Sequence, residues 1–404
     1  MQAVPSDSRK PPSLPTGVVV LGFVSLLMDL SSEVIHSLLP IFLVSVLGAS
    51  ALAVGVIEGV AEATASFAKL FSGVLSDRFA RRKPWILFGY GLAALTKPLF
   101  PLAGGAGLVL FARFLDRIGK GIRGAPRDAL IADLTDRAQR GAAYGLRQAL
   151  DTLGAFLAPV AAIALMAATA DDVRFVFWVA AVPAFLCVVL IAVGVKEPAR
   201  PAPAAGSKRP ATPRHSLALA QLGRPFWSVV SVAAILTLAR FSEAFLLLRA
   251  QSLGLANTWV PAVLLVMNGI YALAAYPLGR WSDGGRRQAL LLLGIALLAA
   301  AHLALALAPN LGVAALGVAL WGAHLAATQG LLAAMVADAA PPEARGSAFG
   351  VFHLATGMAL LLASASAGAL WTLGGPSAPF WAGAALAGAA MVLALHWGTV
   401  DERK

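Results

Sequence analysis

The chain has 404 residues, of which 59% are hydrophobic and only 13% are charged, and its formal net charge is +11 at pH 7. Soluble globular domains are about 45–50% apolar and about 25% charged, so this composition excludes an ordinary soluble domain and indicates a polytopic membrane protein. Basic loops on the cytoplasmic side explain the positive charge, and we expect no nucleic-acid partner. The single cysteine, Cys187, lies in an apolar run, so no disulfide framework is predicted.

Twelve apolar segments are long enough to span a bilayer, which needs about 20 residues in a helix. They cover residues 16–46, 51–76, 84–104, 106–131, 141–169, 173–195, 226–250, 256–281, 287–308, 310–337, 345–374 and 376–399. The first is too long for a straight span, and Pro40 is expected to kink it. The sequence therefore predicts an all-α membrane protein with twelve transmembrane helices.

The non-helical stretches divide this protein into parts. Residues 1–15 form a polar tail without the apolar core of a signal peptide. Residues 196–225 are rich in proline, alanine and basic side chains, as is typical of a linker. We expect a six-helix bundle over 16–195, a second over 226–399, and a short tail over 400–404.

Lysine and arginine are distributed unevenly between the two sets of loops. The tails and the even-numbered junctions carry most of them, whereas the odd-numbered junctions carry almost none beyond Arg174. Because short cytoplasmic loops are enriched in Lys and Arg, both termini are predicted to be cytoplasmic. The membrane expected is the bacterial cytoplasmic (inner) membrane.

The two halves repeat each other. The segment Gly73–Asp77 recurs as Gly279–Asp283, 206 residues later, and the segment Asp133–Arg140 recurs as Asp338–Arg345, 205 residues later. Transporters are commonly built from such internal repeats, with the substrate site between them. The pattern therefore favours a transporter made of two pseudo-symmetric bundles.

The segment Gly73–Lys83 resembles the signature loop between helices 2 and 3 of major facilitator superfamily transporters, with Ala80 where glycine is usual. The counterpart of this loop in the second half of the superfamily's chain is resembled by Asp283, Arg286 and Arg287. The resemblance covers essentially the whole chain. It implies the twelve-helix major facilitator fold, a cytoplasmic latch formed by the loop, and a central cavity lined by helices 1, 4, 7 and 10.

Two further patterns resemble motifs of the same superfamily. Arg117-Ile-Gly-Lys120-Gly is similar to an Arg-x-x-Gln-Gly motif linked to proton transfer, with Lys120 in place of Gln and Arg113 as a rival for the arginine. The segment Gly145–Pro159 is similar to an antiporter motif, with Ala158 in place of a glycine, and this favours export. Small residues that only allow close helix packing are the alternative interpretation.

Charges inside the predicted spans identify candidate residues, because intramembrane ionisable groups are functional by default. The stretch Arg113–Asp128 carries five bases and two acids on one helix face, and the acids of helix 1 are predicted to lie level with and face the bases of helix 4. A static ion-pair network is the alternative. The residues expected to couple protons are Asp29, Glu33, Glu62 and Arg117.

The remaining polar residues fall into two predicted groups. Residues expected to bind substrate are His36, Arg113, Lys120, Arg240, Glu243, Asn268, Tyr271, Trp321 and His324. Residues expected at the cytoplasmic gate are Asp77, Arg78, Arg81, Arg82, Arg123, Arg127, Asp128, Arg147, Asp151 and Asp283. The charges of helix 4 are not repeated in helix 10, which predicts coupling in the first bundle and an apolar, aromatic substrate surface in the second.

The function expected is secondary active transport of a small molecule by alternating access, namely proton-coupled export by a monomer in the lipid bilayer. Uptake or exchange of an anionic solute is the first alternative, since Arg and Lys suit carboxylate and phosphate. Metal-cation export and a non-transporting membrane receptor are further alternatives. No metal or other cofactor besides the proton gradient is expected, and no nucleotide loop, zinc motif or nucleophile elbow suggests an enzyme.

Overall fold

The computed structural model describes residues 14–76, 81–136, 139–197, 222–283, 286–341 and 345–401; the side chains of 69–76, 141, 280, 282–283, 345–347 and 396–401 are outside the description. The described chain consists of long helices and contains no strand. The helices are α1 Thr16–Ile41, α2 Ala51–Ser76, α3 Lys83–Thr96, α4 Ala106–Leu134, α5 Arg140–Ala168, α6 Val173–Gly194, α7a Arg224–Ala239, α7b Ala244–Ser252, α8 Ala262–Asp283, α9 Arg287–Leu307, α10 Leu311–Ala339, α11 Arg345–Gly374 and α12 Ala378–Asp401. The predicted all-α, membrane-spanning fold is confirmed.

The helices alternate in direction, so their connections lie at two ends of the molecule. The proximal end holds residues 81–82, 135–136, 195–197 and 286. The distal end holds the connections 47–50, 97–105, 169–172, 253–261, 308–310 and 375–377. We refer to α1–α6 as the N-half and to α7a–α12 as the C-half.

Ten helical segments of the described chain meet the length and hydropathy of a membrane span, and α3 and α4 do not. Helix α3 has only 14 residues before a 3₁₀ turn at Lys97–Leu99 replaces it. Helix α4 is long enough at 29 residues but carries seven charges between Arg113 and Asp128. These charges make α4 fail the hydropathy criterion, and the helix can carry them because Arg113, Asp116, Arg117 and Arg123 are buried against other helices.

The end of α1 shows what Pro40 does. The proline lies within α1, and a π-helical turn, Phe42–Val46, follows Ile41 directly. Because proline has no amide hydrogen to donate, the regular hydrogen-bond ladder is interrupted near it. The first span therefore changes helical type close to Pro40, where a kink was predicted.

Helix 7 was predicted as one span but is broken at residues 240–243. His302 Nε2 lies 2.8 Å from the carbonyl oxygen of Ala239, the last residue of α7a. The amide of Ser242 donates to Ser364 Oγ at 3.1 Å, and Ser242 Oγ accepts from the amide of Ala244 at 3.2 Å. A break inside a membrane requires partners for the freed backbone groups, and these side chains provide them.

The two halves meet most closely along α2 and α11. A Cβ atom at Gly55 would lie 2.1 Å from the Ser364 carbonyl oxygen, so the two backbones touch there. At the distal end, Gln251 Nε2 donates to Ser45 Oγ at 2.9 Å. Thr258 also hydrogen-bonds Asp171. The halves are therefore packed tightly against each other at the distal end.

Gly55→Leu is expected to lower the melting temperature of the purified protein, because overpacking a tight contact costs about 1–3 kcal/mol. Gly91→Leu on α3 is the matched control, since a Cβ atom there meets nothing within 4 Å. Thermal unfolding of both variants, followed by tryptophan fluorescence, measures the difference. Equal melting temperatures for the two variants would contradict the close approach of α2 and α11.

Small residues also let α5 approach α1. A Cβ atom at Gly154 would lie 2.5 Å from the carbonyl oxygen of Leu26. Gly145, in contrast, has nothing within 4 Å of an added Cβ. Close packing therefore accounts for Gly154 of the antiporter-like pattern but not for Gly145.

Candidate functional site

A buried ion pair joins α2 and α4. Arg113 donates from Nη2 to both carboxylate oxygens of Glu58, at 2.9 and 2.7 Å, and both side chains are buried. His36 Nδ1 on α1 lies 3.2 Å from the same Arg113 nitrogen. Arg113 and His36 were predicted to bind substrate, but the carboxylate of Glu58 already occupies Arg113. In this conformation Arg113 is therefore not free for a ligand.

A second buried pair joins α3 to the same face of α4. Lys97 Nζ lies 2.9 Å from Asp116 Oδ1, and the two side chains are only 2% and 5% exposed. Lys97 Nζ also donates to Ser32 Oγ on α1 at 2.9 Å. The pair ties α1, α3 and α4 together in a dry environment.

A third pair is open to solvent on one side. Arg117 Nη2 lies 3.4 Å from Glu62 Oε1, and Glu62 is 39% exposed whereas Arg117 is 9% exposed. Glu33 on α1 also interacts electrostatically with Arg117. Glu62 is therefore the acid of this network that solvent protons reach most readily.

The acids of helix 1 were predicted to face the bases of helix 4, and for Asp29 this stays a prediction. The carboxylates that pair with Arg113 and Arg117 of α4 are Glu58 and Glu62 of α2. Asp29 lies close to the Asp151 carboxyl group of α5. Asp151 also pairs with Arg147 one turn away, at 3.7 Å. Asp29 and Glu33 are 4 residues apart on one helix face, yet they serve different neighbours because α1 lies between α4 and α5.

The two arginines toward the proximal end of α4, Arg123 and Arg127, hold the helices of the N-half together. The Arg123 guanidinium carbon lies 4.4 Å from the centre of the Tyr90 ring on α3. Arg127 donates to Tyr90 Oη and to Ser25 Oγ, both at 3.3 Å, and pairs with Asp128 at 3.0 Å. These contacts link α1, α3 and α4 within one half, so a role at a gate between the halves stays a prediction. Lys120 is half-buried on the same helix.

Arg240 and Glu243 lie at the break of helix 7, across from the open pair. Both interact electrostatically with Glu62 of the N-half, and Glu243 interacts with His36 as well. Six charged or titratable groups thus lie within electrostatic range of one another where the halves meet, and we call them the central cluster: Glu33, His36, Glu62, Arg117, Arg240 and Glu243. The break in helix 7 provides room for the two C-half members. Asn268 and Tyr271 are half-buried on α8.

A cavity of about 320 Å³ extends from Arg240 into the C-half between α7a, α10 and α11. Its wall is mixed, with Arg240, His324 and Thr328 beside Leu332, Phe349 and Phe352. His324, which was predicted to bind substrate, lines this cavity. Cavities of this size and composition are common small-molecule sites.

Trp321 was predicted to line the cavity and does not. Its side chain is fully buried, and its ring centroid lies 5.2 Å from that of His302 and 5.6 Å from that of Phe241. Helix 10 points this residue toward α9 rather than toward the space between the halves. His302 was missed by the sequence reasoning, although a histidine inside the apolar helix α9 was a signal for a buried backbone partner.

At the proximal end the repeat produces the same ion pair twice. Arg82 Nε lies 3.3 Å from Asp133 Oδ2, and Arg287, 205 residues later, pairs with Asp338. Asp77 and Arg78 lie outside the described residues, as does the side chain of Asp283. Arg81 is exposed. The duplicated loop thus fixes the start of α3 to the end of α4, and the start of α9 to the end of α10.

We expect Arg82→Gln to destabilise the purified protein more than Arg287→Gln. Arg82 and Asp133 are 13% and 27% exposed, whereas Arg287 and Asp338 are 45% and 57% exposed. Exposed pairs contribute little because water screens them. The melting temperatures of the two variants measure this difference. A fall in melting temperature for Arg287→Gln that equals or exceeds the fall for Arg82→Gln would contradict the prediction.

Comparisons with known proteins agree with this architecture. The sequence matches the family model of the Major Facilitator Superfamily over residues 21–270 and 246–404. It is 31% identical over 393 residues to an uncharacterized MFS-type transporter of Methanocaldococcus jannaschii, with 96% of each chain covered. Over 165 residues, 41% of this chain and 40% of the relative, it is 32% identical to the multidrug resistance protein MdtH of Photorhabdus laumondii.

Solved structures show the same fold. A mutant peptide transporter POT in complex with sulfate superposes with a TM-score of 0.77 at 16% identity, covering 98% of this chain and 96% of that one. A mutant nucleoside transporter NupG superposes with a TM-score of 0.75 at 13% identity, covering 95% and 99%. The protein is an integral membrane protein, and the chain belongs to the Major Facilitator Superfamily.

Proposed function

We propose that the protein is a proton-coupled secondary transporter that exports a small molecule by alternating access. The observation that carries this proposal is the open pair Arg117–Glu62, whose carboxylate also interacts electrostatically with Arg240 of the other half. A carboxylate that attracts arginines of both halves can favour one arrangement of the halves when charged and release it when protonated.

The coupling cycle follows from this arrangement. A proton on Glu62 removes the attraction to Arg117 and Arg240, and the two halves become free to change their contact. Substrate in the adjoining cavity and the Glu62 carboxylate then compete for Arg240. Protons and substrate therefore bind in turn at the central cluster, as an antiporter requires.

A second acidic site supports proton handling. The Asp29 side chain on α1 and the Asp151 side chain on α5 lie close enough to interact, and two neighbouring carboxyl groups can share a proton. Arg147 pairs with Asp151 at 3.7 Å. Asp29 thus keeps its proposed part in proton coupling, with Asp151 as its partner.

Export is favoured over uptake by two features: the antiporter-like pattern Gly145–Pro159, and the partial similarity to a multidrug resistance protein. In the orientation that the basic loops favour, the proximal end faces the cytoplasm and the closed distal end faces outward. Cytoplasmic substrate would then reach the central cluster from the proximal side.

Inverted membrane vesicles test the proposal. Respiration acidifies the interior of these vesicles, and a fluorescent dye that accumulates in acidic compartments reports the proton gradient. The cation ethidium and the anion 3-hydroxybenzoate are tested separately, and we expect at least one of them to release protons in vesicles that contain the protein and neither to do so in vesicles that lack it. Probe uptake that persists after a protonophore collapses the gradient would refute proton coupling.

A further inference from the structure

The C-half cavity contains a cation whose side chain makes no hydrogen bond to the described residues. Within the described ranges, the Arg240 guanidinium has no hydrogen bond, and its electrostatic neighbours are Glu243 and Glu62. Arg113, in contrast, is held by two bonds to Glu58, and Arg127 by three side chains. Leaving a desolvated guanidinium without acceptors is unfavourable. Arg240 is therefore available to an incoming acceptor.

The same cavity offers a defined acceptor in His324. His324 Nδ1 lies 2.8 Å from the carbonyl oxygen of Gly294. A carbonyl oxygen only accepts, so Nδ1 carries the hydrogen and Nε2 of the neutral ring has a free lone pair. Nε2 is buried and has no partner among the described residues. A hydroxyl or N–H group of a ligand can donate a hydrogen bond to this nitrogen, whereas a second anionic group cannot.

The rest of the wall combines apolar and uncharged polar side chains. Leu236, Leu332, Phe349 and Phe352 provide its apolar surface. Its further polar members are Thr237, Thr328, Gln329, His353 and Thr356. Apolar and aromatic side chains bind an uncharged hydrocarbon or aromatic body, and the few polar groups orient it. An inorganic anion would leave this surface unused.

We propose that the transported substrate is an organic anion with an apolar body and a hydroxyl or N–H donor, bound in the C-half cavity with its anionic group on Arg240 and its donor on His324 Nε2. The proposal rests on the proposed function, since it names the substrate class for that transporter. Guanidinium binds carboxylate and phosphate in the same bidentate manner. When the substrate leaves, Glu62 becomes the alternative acceptor for Arg240.

The experiment is a thermal-shift titration of the purified full-length protein, because a ligand that binds only the folded state raises the melting temperature by mass action. Four probes of similar size are compared: 3-hydroxybenzoate, benzoate, the neutral benzamide and the cationic benzylamine. Phenyl phosphate then separates phosphate from carboxylate preference. We expect stabilisation in the order 3-hydroxybenzoate, benzoate, benzamide, with no stabilisation by benzylamine.

Variants assign the effect to the two residues. Arg240→Gln is expected to weaken 3-hydroxybenzoate binding about 10- to 100-fold, the effect of losing a charge-assisted hydrogen bond. Arg240→Lys should restore part of the binding. Arg224→Gln removes the same charge from the exposed start of α7a and should bind like the unaltered protein. His324→Ala should abolish the preference for 3-hydroxybenzoate over benzoate while anions still bind.

The proposal is overturned if no anionic probe raises the melting temperature, if benzylamine alone does so, or if Arg240→Gln binds 3-hydroxybenzoate as tightly as Arg224→Gln does. Arg240→Lys provides the test if Arg240→Gln fails to fold. The titration uses no proton gradient, so it can succeed when the vesicle experiment fails and fail when that experiment succeeds. The two proposals are thus tested separately.

Discussion

Glu62→Gln is expected to abolish substrate-induced proton release in inverted vesicles while leaving substrate binding in place. Glutamine keeps the size of the side chain and can still contact Arg117, which lies 3.4 Å from the Glu62 carboxylate. It cannot take up a proton, so the charge between Arg117 and Arg240 no longer changes. Exchange of labelled against unlabelled substrate, which needs no net proton movement, should continue.

Two further variants sharpen this expectation. Glu62→Asp keeps the ionisable group but shortens its reach to Arg117, so coupled transport should continue at a lower rate. Asp136→Asn removes an acid from the exposed proximal connection and should have no effect. Proton release that persists unchanged in Glu62→Gln would show that another acid couples transport, and Asp29 with Asp151 would be the next pair to replace.

The largest loss of stability is expected from breaking the pair of Lys97 and Asp116. Its side chains are almost completely buried at a distance of 2.9 Å. Removing one partner leaves a buried charge uncompensated, which costs about 3–5 kcal/mol. Lys97→Met and Asp116→Asn should therefore each lower the melting temperature strongly, measured by tryptophan fluorescence on purified protein.

The double variant Lys97→Met/Asp116→Asn is expected to be more stable than the sum of the two single losses predicts. Once both charges are gone, neither remains unpaired, and the two sites in contact are coupled. The exposed pair Arg287–Asp338 is the reference, and the same cycle there should show almost no coupling. Strictly additive losses at Lys97 and Asp116 would show that the pair does not act as a unit.

The sequence predicted the helices and the repeat well, and the pairing between helices poorly. Hydrophobic runs predicted the spans, and the 205-residue offset between Asp133 and Asp338 recurs in the ion pairs Arg82–Asp133 and Arg287–Asp338. Helical periodicity also predicted that the α4 charges share one buried face. These features depend on one helix at a time, or on copies of the same loop.

Helical periodicity does not determine how one helix is rotated or shifted along its axis relative to another helix. The carboxylates that pair with Arg113 and Arg117 therefore come from α2 rather than from α1, and Asp116 meets Lys97. The break in helix 7 depends on a backbone partner from a distant helix, His302. Trp321 was misplaced for the same reason, since its helix turns it into an aromatic cluster.

The composition of α4 has a consequence for how the protein enters the membrane. A charged residue at the middle of a span opposes insertion by about 3 kcal/mol on translocon scales, and α4 carries seven charged residues between Arg113 and Asp128. The interhelical partners that neutralise Arg113, Arg117 and Asp116 are Glu58, Glu62 and Lys97, and all three belong to helices synthesised before α4. Helix α4 is thus expected to leave the translocon with α2 and α3 as one unit, not alone.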